Sequence, residues 1–207
     1  MSTTKAFSEQ RTRQILLSLD KHDYMSRGQI QQLHNLKSDR NACKVLSQMR
    51  CYVNSFRDVQ NIFYLNKKGA QLIDAKGEAR QKITNVRHYL MRTDAFIHLG
   101  KPEKWAKEAP FRINSLSCIP DVTFSQLVLG NHRVCLLEID NTQKMVVNRQ
   151  KMQTYAKMKE TNIFQLTHGY FPAIYWVTCT EYRKKQLIEI AQSLGLKSII
   201  LAWDDIR

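Results

Sequence analysis

The chain has 207 residues, 43% of them hydrophobic and 24% charged, so it can bury a real core as one domain or as two small ones. Its 32 Lys and Arg against 18 Asp and Glu leave a formal charge of +14, which attracts phosphate-rich or anionic surfaces and argues against a cationic substrate. No stretch approaches the roughly 18 consecutive apolar residues of a spanning helix, and Met1-Ser2-Thr3-Thr4-Lys5 lacks the apolar run of a secretory signal. The expectation is a cytoplasmic protein with no membrane partner. Five cysteines, Cys43, Cys51, Cys118, Cys135 and Cys179, are odd in number, scattered and without a C-x-x-C pair. That spacing implies free thiols and neither a disulfide framework nor a zinc site.

In chain order, Ser8 is placed to cap a first helix through Ile15, Leu16 and Leu19, closed by the polar turn Asp20-Lys21-His22-Asp23. Ser26-Arg27-Gly28-Gln29 has capping-box spacing and opens a second helix with Ile30, Leu33 and Leu36 inward. After Lys37, Ser38 is placed to cap a third helix with Ala42, Val45, Leu46 and Met49 inward. Its outward positions are Asp39, Arg40, Asn41, Lys44, Ser47 and Gln48. Two short helices with a tight turn, the second presenting basic and amide groups, form the helix-turn-helix arrangement that lays its second helix in a major groove. Strand-like Cys51-Tyr52-Val53 and Ile62-Phe63-Tyr64-Leu65 follow, around a polar tip with Asn54, Ser55, Arg57 and Asp58. The segment Phe63-Tyr64-Leu65-Asn66-Lys67-Lys68-Gly69 resembles the strand-and-turn ending of winged helix-turn-helix regulators.

The charge has a use in this half. Before residue 100 there are 17 basic and 8 acidic residues, and after it 15 and 10. A packing or dimerisation module is the bland alternative, yet it gains nothing from a net +9, whereas each Lys or Arg on a phosphate releases counterion. Arg40, Asn41 and Lys44 are the base-reading candidates, with Ser47 and Gln48 next, because Arg pairs two acceptors on guanine and Asn or Gln pairs adenine. Arg57, Lys67 and Lys68 are the phosphate candidates.

Gly77 to Leu99 is expected to be a long helical stretch through Ile83, Val86, Leu90 and Ile97, in which His88 and Asp94 read as structural. Strands follow around Phe111 to Ser117, Val122 to Leu129 and Arg133 to Ile139, with Gly130-Asn131 as a turn, then a helix from Val146 to Met158. A buried strand at Ile174 to Thr178, a helix from Thr180 to Leu194 and a last strand from Ser198 to Trp203 complete an α/β sandwich. Trp105, Trp176 and Trp203 are expected in the core or at a domain interface, and Arg183-Lys184-Lys185 on a solvated helix face. Asp121 follows Pro120 at a strand start, while Glu138 and Asp140, two apart, share one face of the partner strand. Such carboxylates repel unless a divalent cation or a basic group lies between them. The plain alternatives are a turn residue after proline and strand-end acids that meet solvent or pair with Arg149 or Lys151.

Pro120-Asp121, then a strand carrying Glu138, then a helix, resembles the restriction-endonuclease-like PD-(D/E)XK fold. In that family the Asp and Glu hold magnesium and a Lys two residues after the Glu helps to activate water. Here Asp140 stands where that lysine belongs, and Lys144 and Lys151 are the nearby substitutes. The helix-turn-helix start, His88 and Asp94, Ile119-Pro120-Asp121, Leu136-Leu137-Glu138-Ile139-Asp140-Asn141-Thr142, and Lys151 with Tyr155 together look like the replication-relaxation family. That resemblance implies a protein of plasmids, phages and integrative elements of Gram-positive bacteria, assisting replication, DNA relaxation or transfer.

The sequence therefore predicts an α/β protein, α+β overall, with a winged helix-turn-helix over 1–76, a helical linker over 77–110 and a nuclease-like α/β domain over 111–207. Double-stranded DNA is the expected partner, with a second copy of the chain and replication or transfer proteins of the same element as further candidates. DNA binding needs no cofactor. The leading expectation is a binding protein with a degenerate nuclease-like domain. Its rivals are an endonuclease using magnesium or manganese held by Asp121, Glu138 and Asp140 with Lys151 as a fourth catalytic residue, and a domain used for protein interaction.

Overall fold

The computed structural model describes residues 3–75 and 81–207, a mixed α/β chain that divides into two compact units, Met1–Thr93 and Asp94–Arg207. The segment expected to link domains over 77–110 is thus shared between them, the helix Arg87–His98 running across the division.

The first unit comprises α1 (Thr3–His22), β1 (Met25–Ser26), α2 (Arg27–Leu33), α3 (Asp39–Gln48), β2 (Val53–Arg57), β3 (Asn61–Leu65), α4 (Lys67–Leu72) and the first half of α5 (Arg87–His98). Helix α1 starts before Ser8 and runs to His22. Asp23 then turns left-handed at φ 69 and is buried against the Arg92 guanidinium, not exposed as a polar turn. The capping box of α2 forms in full: Ser26 Oγ accepts from the Gln29 amide at 3.1 Å, and Gln29 Oε1 accepts from the Ser26 amide at 3.0 Å. Ser38 caps α3 by accepting from the Asn41 amide. The inward stripe of α3, Ala42, Val45, Leu46 and Met49, packs with Ile15, Leu16 and Leu19 of α1 in one apolar core. Strands β1, β3 and β2 form an antiparallel sheet in that order.

The hairpin is displaced from its predicted position. Asn54, Ser55 and Arg57 lie on β2 itself, and the tip is Asp58-Val59-Gln60. Strand β2 is an edge strand exposed at Asn54, Ser55 and Arg57, so it lacks the apolar alternation by which strands are recognised.

Asn66 ties the end of β3 to α4, accepting from the Gly69 amide at 2.9 Å and donating to the Cys51 carbonyl at 3.0 Å. Gly69 lies inside α4, where a Cβ would stand 2.1 Å from the Tyr52 carbonyl oxygen. Alanine ordinarily gains about 1 kcal/mol over glycine in a helix. Here the backbone overlap outweighs that gain, and Gly69→Ala is expected to lose about 1–2 kcal/mol net. Urea unfolding tests this, and a stabilised variant would contradict the close approach.

Residues 81–86 are not helical and α5 begins at Arg87; the remainder of the predicted stretch, Gly77 to Arg80, lies outside the described residues.

The second unit comprises the rest of α5, β4 (Trp105–Lys107), β5 (Phe111–Ile113), β6 (Leu116–Cys118), β7 (Val122–Val128), β8 (Asn131–Asp140), α6 (Met145–Glu160), α7 (Ile163–His168), β9 (Ala173–Thr178), α8 (Glu181–Ser193) and β10 (Ser198–Ala202). Its main sheet runs β10-β9-β8-β7-β4, parallel across the first three strands and antiparallel thereafter. The β7–β8 turn is Leu129-Gly130, both at positive φ, one residue earlier than predicted. Phe111–Ser117 folds as a separate hairpin of β5 and β6, and two elements absent from the prediction, β4 and α7, are only three and six residues long. Leu136, Ile174 and Trp176 on one sheet face pack with Met152 and Tyr155 of α6 and Leu187 and Ile190 of α8. On the other face Phe96, Trp105, Phe124 and Tyr175 form a chain of ring contacts of 5.0 to 5.6 Å. Asp94 accepts from Trp203 Nε1 at 2.7 Å, a structural role. All five cysteines are free, and no helix among the described residues is long and apolar enough to cross a membrane.

Candidate functional site

Two groups of residues carry chemistry, one in each unit. In the first, the outer face of α3 presents Arg40, Lys44, Ser47 and Gln48, all exposed. Arg27 of α2 ion-pairs with Asp39 at 2.7 Å and donates to Cys43 Sγ at 3.4 Å, fixing α2 against the start of α3. Asn41 differs from its neighbours: it is half-buried, and its side-chain amide donates to the Leu36 carbonyl at 2.8 Å. It thus closes the inter-helix turn and is less available to a base. Ser47 Oγ donates to the Lys44 carbonyl at 2.8 Å. Arg57 on β2, and Lys67 and Lys68 at the start of α4, are exposed cations.

In the second unit the strand period sets the site. Glu138 and Asp140, alternate residues of β8, point to the face covered by α6 and α8, and both are almost completely buried. The antiparallel register pairs Val122 with Leu137, so Asp121, just before β7, stands beside the end of β8. Its Oδ2 accepts from the Ile139 amide at 2.6 Å. Glu138 Oε2 accepts from Lys151 Nζ and its Oε1 from the Tyr155 hydroxyl, each at 2.5 Å. Lys151 and Tyr155 are four apart on α6 and therefore share a face. Burial pushes the Glu138 carboxyl up to about 7, against the pull of Lys151, and the nearby Asp121 charge adds to the rise. Burial opposes the Lys151 charge, but Glu138 and Asp121 hold its pKa above the ordinary value. Tyr155 and Cys118 are both pushed up by burial and stay protonated.

Asp140 has different partners. Arg183 clamps it through Nε at 2.8 Å and Nη2 at 2.6 Å, Thr178 Oγ1 donates at 2.7 Å, and Asn148 Nδ2 at 2.8 Å. Burial alone would raise its pKa, yet these donors together hold it below the usual carboxylate value. Arg183 also donates to the Gln143 carbonyl at 2.6 Å. It is therefore no member of a solvated run: Thr180 caps α8 and starts it beside the end of β9, which delivers Arg183 to Asp140. Lys184 of the same run bridges Glu181 and Asp205, and Lys185 is exposed.

The predicted set Asp121, Glu138, Asp140 and Lys151 is thus partly brought together. Asp121, Glu138 and Lys151 form one electrostatic group, and Asp140 belongs to a second one built on Arg183. Lys144 is exposed at the start of α6. A cation shared by Glu138 and Asp140 does not fit: each Asp140 oxygen already accepts two hydrogen bonds, while each Glu138 oxygen accepts one. Among the described residues no three His, Cys, Asp or Glu side chains converge as a metal cluster. Sequence reasoning missed Arg183, Thr178 and Asn148. No local signal in the sequence points to them, because the demand of Asp140 for donors comes from its burial in the fold.

A family model described as replication-relaxation matches residues 16–174, about three quarters of the chain. No curated protein and no solved structure matches it.

Proposed function

Because the chain belongs to the replication-relaxation family, we propose that it is a double-stranded DNA-binding protein of a plasmid, phage or integrative element, acting in regulation, replication or transfer. The first unit acts as a winged helix-turn-helix. The observation that carries this is α3: its apolar stripe is fully used in the core, while Arg40, Lys44 and Gln48 are exposed along the opposite face. Arg57 on the hairpin and Lys67 and Lys68 beside it suit phosphates, which set position without reading sequence. Asn41 is the weakest of the base-reading candidates, since its amide already closes the turn.

The test is binding to a site selected from fragments of the parent genome. Arg40→Ala with Lys44→Ala is expected to weaken specific binding by roughly 10- to 100-fold, and wild-type affinity should fall steeply with salt. Unchanged affinity of the double variant on its selected site would remove α3 as the reading helix.

The second unit serves assembly or a further DNA contact on a nuclease-like scaffold that has lost cleavage. Asp140 stands where a lysine would activate water, and Arg183 consumes it. One observation favours an active magnesium-dependent endonuclease instead: Lys151, from α6, brings an ammonium group to Glu138. Asp140, each of whose oxygens already accepts two hydrogen bonds, weighs against that reading. Supercoiled plasmid incubated with magnesium or manganese and excess protein is expected to stay intact; nicking abolished by Glu138→Ala would establish the enzyme.

A further inference from the structure

At the end of the main sheet opposite Glu138 and Asp140, where β9 and β10 begin, the second unit has a groove of about 630 Å³. Its walls include Lys159, Gln165, Phe171, Leu196, Lys197 and Ser198, with no acidic side chain in the lining. Two polar atoms in it are buried without a hydrogen-bond partner, Gln165 Oε1 and Ser198 Oγ. Neither atom has accessible surface, so neither meets a ligand in the groove, and recognition there rests on the cations and the Phe171 ring of its wall. Gln165 is held in place because its amide donates to the Lys159 carbonyl at 2.7 Å. Lys159 is anchored by one bond to the Gly195 carbonyl at 2.7 Å, which leaves its ammonium two further donors, and Lys197 is exposed.

Phe171 of the groove wall belongs to a cluster of aromatic rings. Phe171 contacts Phe164 at 6.3 Å between centroids, Phe164 contacts Tyr170 at 5.6 Å and His168 at 4.2 Å, and Arg133 lies over the Tyr170 ring at 5.1 Å. Cations that track phosphates and an aromatic ring on which a base stacks are the two elements of a single-strand site, which needs no hydrogen-bond readout of the bases. A duplex keeps its base faces in the stack and presents none of them to a concave groove.

We infer that this groove binds single-stranded DNA, with a base packed against Phe171 and the flanking phosphates on Lys197 and Lys159. The site is separate from α3 and does not require the duplex reading. With both functions, the chain would hold duplex through its first unit and an opened strand through its second.

The experiment measures fluorescence anisotropy of the full chain with a short mixed-sequence single strand and with the selected duplex. Lys197→Glu is expected to weaken single-strand binding by roughly tenfold and Phe171→Leu by roughly fivefold. Neither should move duplex affinity more than about twofold, while Arg40→Ala with Lys44→Ala should do the reverse. Photocrosslinking of the wild-type chain to a thiothymidine-bearing strand should label a peptide within residues 164–173, a readout that does not depend on variants folding. Unchanged single-strand affinity in both groove variants, crosslinks confined to residues of the first unit, or a change in oligomeric state in place of strand affinity would overturn the assignment. Unchanged duplex affinity in the Arg40→Ala, Lys44→Ala variant would instead count against α3 and not against the groove.

Discussion

Arg183→Leu is expected to cost about 3–5 kcal/mol of folding stability at neutral pH, the usual consequence of leaving a buried charge without its partner. Asp140 is fully buried, and Arg183 supplies two of the four hydrogen bonds to its carboxylate. Thr178 and Asn148 remain in the variant but carry no charge. The same change frees the Gln143 carbonyl and loosens the start of α8 from the end of β8. The pH dependence separates this cause from simple loss of packing. In the wild type Asp140 is held below its ordinary pKa, so it contributes stability above the unfolded value of about 3.9, and that contribution is lost as pH falls through the lower folded value. Without Arg183, burial dominates and the Asp140 pKa rises, so acidification lets the carboxyl take a proton and the deficit of the variant narrows. Adding Asp140→Asn to Arg183→Leu should recover most of the loss at neutral pH. Urea unfolding of the three proteins at pH 7 and pH 5 checks this. A deficit below about 1 kcal/mol, or one independent of pH, would show that the clamp is not what Asp140 needs.

The parts of the fold most legible in the sequence were those where local chemistry and tertiary demand agree. Ser26 with Gln29, and Ser38 ahead of Ala42, Val45 and Leu46, specify α2 and α3 through caps and a helical stripe that the core then uses. Strand β8 and its partner β7 were found because they are long and apolar. Elements defined by their partners were less legible: β2 is a polar edge strand, β4 is three residues long, and β1 is a two-residue bridge to β3. Asp23 looked like a turn acid because nothing local indicates that Arg92, 69 residues later, reaches it. The candidate site divides in the same way. Period two placed Glu138 and Asp140 on one face, and period 3.6 placed Lys151 and Tyr155 on another. The pairing of Lys151 with Glu138 is among the plain readings of the sequence. The Arg183 clamp is not, because a basic run at the start of a helix carries the same local signal whether it is solvated or turned inward.

Glu138 provides the second large effect. Its carboxyl is 1% exposed and titrates at about 7 because burial penalises its charge more than Lys151 and Tyr155 favour it. A carboxyl whose folded pKa lies above the unfolded value binds its proton more tightly when folded, so the wild type loses stability as pH rises from about 4.3 toward 7 and no more beyond. Glu138→Gln keeps the shape and an acceptor for Tyr155 but has no charge to bury. Relative to wild type, the variant should therefore gain about 2–3 kcal/mol between pH 4.5 and pH 7.5, at about 1.4 kcal/mol per pKa unit, with the difference level above that range. Thermal unfolding of both proteins at half-unit pH steps reads the difference directly. If it is flat, or grows on acidification, the Lys151 ion pair outweighs burial and Glu138 is ionised throughout. The predicted outcome would leave a carboxyl that shares its proton with solvent near neutral pH and is bonded through both oxygens to α6, a better anchor for that helix than a ligand for a cation.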